Sequence, residues 1–392
     1  MSTTTPVDRA PAGPLAVGQR KLAPDLARGA MLLFIALANA HEFLRTTPVT
    51  IRGYPTSLGP LDQAVTAILM TVVDGRAYPM FAALFGYGMV QIFARQEASG
   101  RDWRSSRSLL RRRGRWMVVI GLLHALLLFA GDIIAAYGVL ALLLVGALRS
   151  KLSRLPVWAW IALVAGSLTY AIFALPLGFD SAGGPPNPFG GETFVEGMIA
   201  RGASWIVTMP LFALTAIAPF LIGVWAGRRR ILDEPERFRS LLTKVSTWGV
   251  AGAIVGGIPL ALVAAQVIPV TSISLTYGLG VLHTATGYLG GIGYAAAIAL
   301  LATRIGTQRG VVVEALAATG QRSMTSYLLQ SVIWTTLFLP YTLNLGAHLG
   351  VAATALISIG AWALTVVLAA LMQRAHLRGP FEGLLRRLTY RT

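Results

Sequence analysis

The sequence predicts an all-α, polytopic integral membrane protein with about ten transmembrane helices. Three observations carry that prediction. The 392 residues are 55% hydrophobic and only 12% charged, about half the charge of an ordinary soluble domain. The apolar residues gather in runs near the roughly 20 residues a helix needs to cross about 30 Å of hydrocarbon. The basic residues cluster between every second run, the pattern that orients membrane helices. An unpaired amide in lipid costs several kcal/mol, so the runs must be helical. The alternating apolar–polar pattern of a membrane β-barrel is absent. Soluble enzymes and disordered chains are excluded by the same arithmetic.

The expected spans lie at 28–44, 62–95, 116–131, 133–148, 156–177, 205–227, 246–268, 278–303, 312–340 and 350–373. Ahead of them, residues 1–21 are rich in Thr, Pro and Ala and read as a disordered tail. Residues 22–391 then form a single transmembrane domain. Arg20 and Lys21 before the first run, with Ala38-Asn39-Ala40 after it, also spell a signal peptide. That alternative would remove one span and contradict the loop charges. Arg and Lys cluster at 95–115, 149–154, 228–244, 304–309 and 374–391, whereas the first intervening loop holds only Arg45 and Arg52. All basic clusters fall on one side, which the positive-inside rule makes cytoplasmic, with both termini there. The net charge of +17 is thus a topology code. It implies membrane lipid as a partner and no nucleic acid, and it leaves the oligomeric state unread. Segment 178–204, dense in Gly and Pro, reads as an external loop ending in a short amphipathic stretch from Glu192.

Ionisable groups inside a span are costly and mark function by default. In the first span Asp25 and Arg28 are three residues apart and can pair, either capping the helix or locking a conformational gate. Toward its other end come Asn39, His41 and Glu42, with His41 a catalytic candidate. The second run would reach about 50 Å as one straight helix. It carries Asp74-Gly75-Arg76 in its middle and Pro79 one turn on. A break or re-entrant turn at 74–79, or a buried Asp74–Arg76 salt bridge, accounts for both features, and the pair is structural or gating.

In the third span His124 and Asp132 lie about 80° apart around a helix. They are placed to share one cavity with Tyr137 without bonding each other directly, and both are catalytic candidates. His283 precedes Gly287, Gly290, Gly291 and Gly293, which read as tight helix packing. GQRSMTSYLLQS sets Arg322, Ser323, Thr325, Ser326, Tyr327 and Gln330 on an apolar helix. With Asn39 and Tyr137, the groups His283, Arg322 and Tyr327 are expected to line a polar interior. There is no cysteine, and no Walker A, HExxH, GxSxG or dinucleotide motif. No metal site and no tightly bound cofactor are expected.

LAPDLARGAMLLFIALAN, LFGYGM, GLLHALLLFAGDIIAAYGVLAL, FLIGVWAGRRRIL, GQRSMTSYLLQS and RGPFEGLLRRLTY occur in this order. Together they resemble the YeiB-like proteins of bacterial inner membranes, whose carboxyl half is catalogued as domain of unknown function 418. The resemblance runs from about residue 22 to 391. It departs at Phe381, where the family often has an aliphatic residue. More distantly, the Asp25–Arg28–Gly29 opening is similar to membrane acetyltransferases of the heparan-glucosaminide type. That likeness implies transfer of an acetyl group from cytosolic acetyl-CoA to an acceptor across the membrane, with a histidine near the non-cytosolic side.

Two functions follow as expectations. One is a transmembrane acyltransferase using acyl-CoA as co-substrate and a sugar, lipid or secreted metabolite as acceptor. His41 or His124 would be the base or acyl carrier, oriented by Asp132. The other is a small-molecule or lipid transporter or flippase, proton-coupled through Asp74 and Asp132.

Overall fold

The computed structural model describes residues 22–44, 49–176, 187–306 and 309–390. The expected disordered tail and residues 178–186 of the Gly/Pro-rich segment lie outside them. Among the described residues the chain is helical, with one isolated β-bridge between Val49 and Pro55 and no strand. This is the all-α architecture of a polytopic membrane protein. Long helices keep every backbone amide bonded within the segment, which lipid demands.

The first helix, α1 (Leu22–Ala40), runs into a single 3-10 turn at His41–Phe43. A connection follows, and then α2 (Pro60–Ile68), whose end widens into a π turn at Leu69–Val73. The chain breaks at residues 74–76 and resumes as α3 (Ala77–Ala98). The break expected in the second run is therefore real. Next come α4 (Trp103–Leu127) and the short α5 (Ile134–Leu143), then α6 (Arg154–Tyr170) and α7 (Phe194–Arg228). The chain continues through α8 (Arg239–Ala264), α9 (Ile273–Ile305), α10 (Val311–Gln321) and α11 (Ser323–Phe338). It closes with α12 (Val351–Arg374) and α13 (Pro380–Tyr390).

Sequential helices pack as hairpins, α4 with α5, α6 with α7 and α8 with α9. Helix α1 is the hub, contacting α3, α9, α10, α11 and α12.

Among the described residues, seven helical stretches can cross a membrane by length and composition: Leu22–Phe43, Pro60–Ala98, Arg154–Ala174, Phe194–Arg228, Arg239–Ala264, Ile273–Ile305 and Val351–Arg374. The other expected runs divide differently. The run at 133–148 contains a helix of only 10 residues, about 15 Å long. The run at 312–340 is two helices that part at Arg322, whose φ of −114° and ψ of 29° leave the helical region. The basic segment 95–115 is largely not a loop. Asp102 caps α4 by accepting a hydrogen bond from the Ser105 amide at 3.0 Å, so the arginines from Arg104 to Arg115 ride on that helix. The amphipathic stretch near Glu192 is likewise the first turn of α7. Thr193 and Glu196 close a reciprocal capping box there, and the helix continues for 35 residues.

Candidate functional site

Helix α4 stops just after His124. The amides of Leu128 and Phe129 both return to the His124 carbonyl, at 2.9 and 3.1 Å, which ends the helix and turns the chain. Five residues later Asp132 opens α5, one carboxylate oxygen accepting from the Ala135 amide at 2.6 Å. That cap fixes the aspartate and points its second oxygen at His124 Nδ1, 2.8 Å away. Glycine at position 121 allows this approach, since a Cβ there would collide with the Asp132 carboxylate and the Ala135 backbone. His124 and Asp132 therefore bond directly. The expectation that they only share a cavity assumed one continuous helix, and the turn at 128–133 removes that assumption.

The other ring nitrogen, His124 Nε2, lies 2.8 Å from the hydroxyl of Ser331 on α11. An aspartate carboxylate can only accept, so Nδ1 carries the proton and Nε2 accepts from Ser331. The result is a hydrogen-bonded chain Asp132–His124–Ser331. Its members are 0%, 3% and 4% exposed. Tyr327, one turn before Ser331, packs its ring 5.1 Å from that of His124 and donates to the Gly131 carbonyl at 3.4 Å. Beside Ser331 is a cavity of about 10 Å³ walled by Asn39, Phe43, Phe129, Tyr327, Gln330 and Trp334, room for about one water. Gln330 Oε1 is buried there without a hydrogen-bond partner.

A second polar cluster forms at the break between α2 and α3. Gly75 takes a φ of +72°, a left-handed turn that glycine adopts without strain. The turn lies against α9, where Cβ atoms at Gly287 and Gly291 would fall 2.8 and 2.7 Å from the carbonyl oxygens of Gly75 and Arg76. Asp74 is gripped on both oxygens by Arg52, at 2.6 and 3.1 Å, and Arg52 also reaches the Tyr170 hydroxyl at 3.1 Å. Arg52 itself holds a φ of 60°, a conformation that persists when side-chain bonds over-determine it. Burial alone would lower the Arg52 guanidinium, but the Asp74 carboxylate, with Tyr170, holds it well above its ordinary value.

Arg76 does not pair with the Asp74 carboxylate. It donates to the Asp74 backbone carbonyl and to the Ala253 carbonyl, the latter at 2.7 Å. The expected Asp74–Arg76 salt bridge is thus an Asp74–Arg52 bridge, because Arg52 occupies both carboxylate oxygens while Arg76 is held on backbone carbonyls. His283 Nε2 stands 2.9 Å from Arg76 Nη1 and 3.2 Å from Asp74 Oδ2. Arginine can only donate and carboxylate only accept, so one tautomer serves one contact at a time.

The remaining candidates fall into three places. His41 belongs with the second cluster, donating from Nε2 to the Arg52 carbonyl at 2.8 Å and stacking on Tyr54 at 4.0 Å. The structure thus separates it from His124. Asn39 and Tyr327 line the small cavity. Tyr137, His283 and Arg322 do not: Tyr137 bridges α5 to the Tyr78 carbonyl at 3.1 Å, and His283 is enclosed beside Asp74. Arg322 donates to the Leu377 carbonyl at 2.6 Å, at the joint where Glu382 of α13 accepts from the Met324 and Thr325 amides at 2.8 and 3.1 Å. Arg322 and Glu382 thus latch the carboxyl terminus onto the start of α11. Asp25 accepts from Arg28, whose Nε also donates to the Gly320 carbonyl at 3.3 Å. Among the described residues no group of three His, Asp or Glu side chains is placed to hold a metal ion.

Three buried groups escaped the sequence. Ser331 follows Tyr327 at four-residue spacing, which puts both on one helix face. Arg52 was one of only two arginines in an otherwise uncharged loop, where orientation gives a basic residue no reason to be. Arg201 is fully buried in α7, donating to the Leu126 carbonyl at 3.0 Å and the Tyr341 hydroxyl at 3.1 Å. Its signal was a charge within a segment read as loop.

Residues 226–392 match the family described as Protein of unknown function (DUF418). The chain is 28% identical over 359 residues to Uncharacterized protein YxaH of Bacillus subtilis (strain 168), covering 84% of this chain and 83% of that protein. It is 31% identical over 126 residues to Uncharacterized protein YeiB of Escherichia coli (strain K12), covering 32% of this chain and 30% of that protein.

Proposed function

We propose that this chain, whose residues 226–392 are similar to the DUF418 family, is a transmembrane acyltransferase of the bacterial inner membrane. It would move an acyl group from acyl-CoA to an envelope sugar, lipid or secreted metabolite. The observation that carries this reading is the Asp132–His124–Ser331 chain, at 2.8 Å on each side of the imidazole. A serine hydroxyl is a weak nucleophile until an adjacent base takes its proton, and the base needs a third group to fix its tautomer.

In the proposed reaction Ser331 Oγ attacks the thioester carbonyl while its proton passes to His124 Nε2. The imidazolium so formed is stabilised by Asp132, and the expelled thiolate takes the proton back. The acceptor's hydroxyl or amine then attacks the seryl ester, with His124 again holding the proton in transit. Asn39 on the cavity wall is the amide group available to the carbonyl oxygen. A cavity of about 10 Å³ admits no substrate, so entry requires the aromatic wall of Phe43, Phe129 and Trp334 to part. With the basic clusters cytoplasmic, both termini lie inside and Asp25–Arg28 marks the donor's side of α1.

The test is turnover of radiolabelled acetyl-CoA by purified protein in lipid nanodiscs, with Ser331→Ala, His124→Ala and Asp132→Asn beside the unaltered chain. A drop of about 10²-fold or more in each variant is expected, with label recovered on the Ser331 peptide of the active protein. Full turnover in both Ser331→Ala and His124→Ala would end this reading.

The break at Asp74-Gly75-Arg76 favours a second reading, transport, since unwound backbone at depth marks substrate paths in carriers. Substrate flux in proteoliposomes under a pH gradient, without acyl donor, would support it. Flux that persists in Asp74→Asn would remove Asp74 as its coupling group.

A further inference from the structure

Along α4, the residues Arg104, Arg107, Arg111, Arg115, Val119, Leu123 and Leu127 recur at three- and four-residue spacing and form one exposed ridge. Its first part is cationic. The four arginines, with Ser108 and Leu142, line an open groove of about 400 Å³ between α4 and the end of α5. Arg111 Nε donates to the Leu142 carbonyl at 3.1 Å, which seats its guanidinium on the groove wall and leaves the terminal nitrogens facing out. No acidic side chain lines the groove. The neighbouring carboxylate, Asp102, is engaged by the Ser105 amide as the helix cap. Four guanidiniums within about 17 Å of helix repel one another unless an anion lies among them.

The second part of the ridge is apolar. Val119, Leu123 and Leu127 are 43%, 52% and 43% exposed, and Leu143 beside the groove is 72% exposed. A soluble anion would use the arginines and leave this strip uncovered. A lipid would use both, its phosphates on the guanidiniums and its chains along the leucines. Each guanidinium can grip a phosphate through two parallel hydrogen bonds, and four of them spread along about 17 Å of helix can hold a headgroup with more than one phosphate. We propose that the α4–α5 groove is a binding site for an anionic phospholipid carrying two phosphates, the headgroup held by Arg104, Arg107, Arg111 and Arg115 and the acyl chains lying on Val119, Leu123 and Leu127. Basic pockets between membrane helices take such headgroups by the same chemistry. This site is independent of the Asp132–His124–Ser331 chain.

The test is native mass spectrometry of the full-length protein in detergent, titrated with cardiolipin and separately with phosphatidylethanolamine. Cardiolipin is expected to bind one equivalent at least about tenfold more tightly, and Arg107→Gln/Arg111→Gln to remove that preference. Arg237→Gln, which neutralises an exposed arginine outside the groove, is the control and should leave it intact. Leu123→Asn should weaken cardiolipin without affecting inorganic pyrophosphate. Equal binding of the two lipids, or cardiolipin binding unchanged by the double substitution, would overturn the proposal. So would a groove that binds pyrophosphate or acetyl-CoA and excludes cardiolipin, which would make it a soluble-phosphate site.

Discussion

The molecule buries two polar clusters, and they are built on opposite principles. At the α2–α3 break, Asp74 meets Arg52 on both oxygens, and Arg76 spends its protons on the Asp74 and Ala253 carbonyls. Full charges are matched there, and the glycines of α9 close the space around them. Beside α11, Asp132 brings one carboxylate, and beyond it stand an imidazole and a hydroxyl bordering a small void. The first cluster is a fastening, because each charge leans on another that cannot leave. The second is a hydrogen-bonded chain that ends on a hydroxyl beside a small cavity. The more heavily charged of the two clusters is thus the more completely paired.

That contrast breaks most sharply at Asp74. Asp74→Ala leaves Arg52 enclosed without its counter-charge, which costs about 3–5 kcal/mol for a broken buried pair. Loss of the monodisperse peak in size-exclusion chromatography and a collapsed thermal transition are expected. Arg52→Met/Asp74→Leu, which removes both charges, should recover much of the loss. An Asp74→Ala protein that melts like the unaltered chain would show that the cluster fastens nothing.

His124 should behave in the opposite way. His124→Gln is expected to lower acyl transfer about 10²- to 10⁴-fold, while the thermal midpoint shifts by only a few degrees. A variant that unfolds instead would move His124 into the fastening class. The reciprocal change, His283→Gln, sharpens the comparison. It loosens the Asp74–Arg76 contacts at a cost of about 1–3 kcal/mol, read as a lower midpoint, with turnover per folded molecule unchanged.

The smallest effect is expected at the carboxyl-terminal latch, far from both clusters. Glu382→Gln weakens a charged cap on the first turn of α11, worth about 1 kcal/mol. It should lower the midpoint by a few degrees and leave turnover untouched. A large loss of turnover there would mean that α13 sets the position of Ser331 through α11.

Much of this was legible in the residues. Lipid penalises charge, so the few charged groups inside apolar runs stood out, and Asp74, His124, Asp132 and His283 all occupy one or other cluster. The interruption at Asp74-Gly75-Arg76 was legible from length alone, since the run overshoots a bilayer. The partners were harder. Arg52 and Asp74 are 22 residues apart and His124 and Ser331 are 207 apart, and no periodicity spans such distances. The direct His124–Asp132 bond was missed for a local reason, a helix that ends three residues after the histidine. Arg322 was read as facing a cavity because a polar group on an apolar helix must face something. The carboxyl-terminal segment that it meets comes from 55 residues away.

The residues alone require an all-α membrane protein, an interruption in its second apolar run, and partners for a few polar groups. Those conclusions rest on the cost of unpaired amides and charges in lipid, which every residue meets independently of its neighbours. Which of these groups meet is a matter of packing. It brings His41 and Asp74 to Arg52, His124 to Ser331, and Arg322 to the Leu377 carbonyl. Hydrogen bonds and ion pairs act over about 3 Å, so their pairing is a property of how helices pack and cannot be summed from residues one at a time.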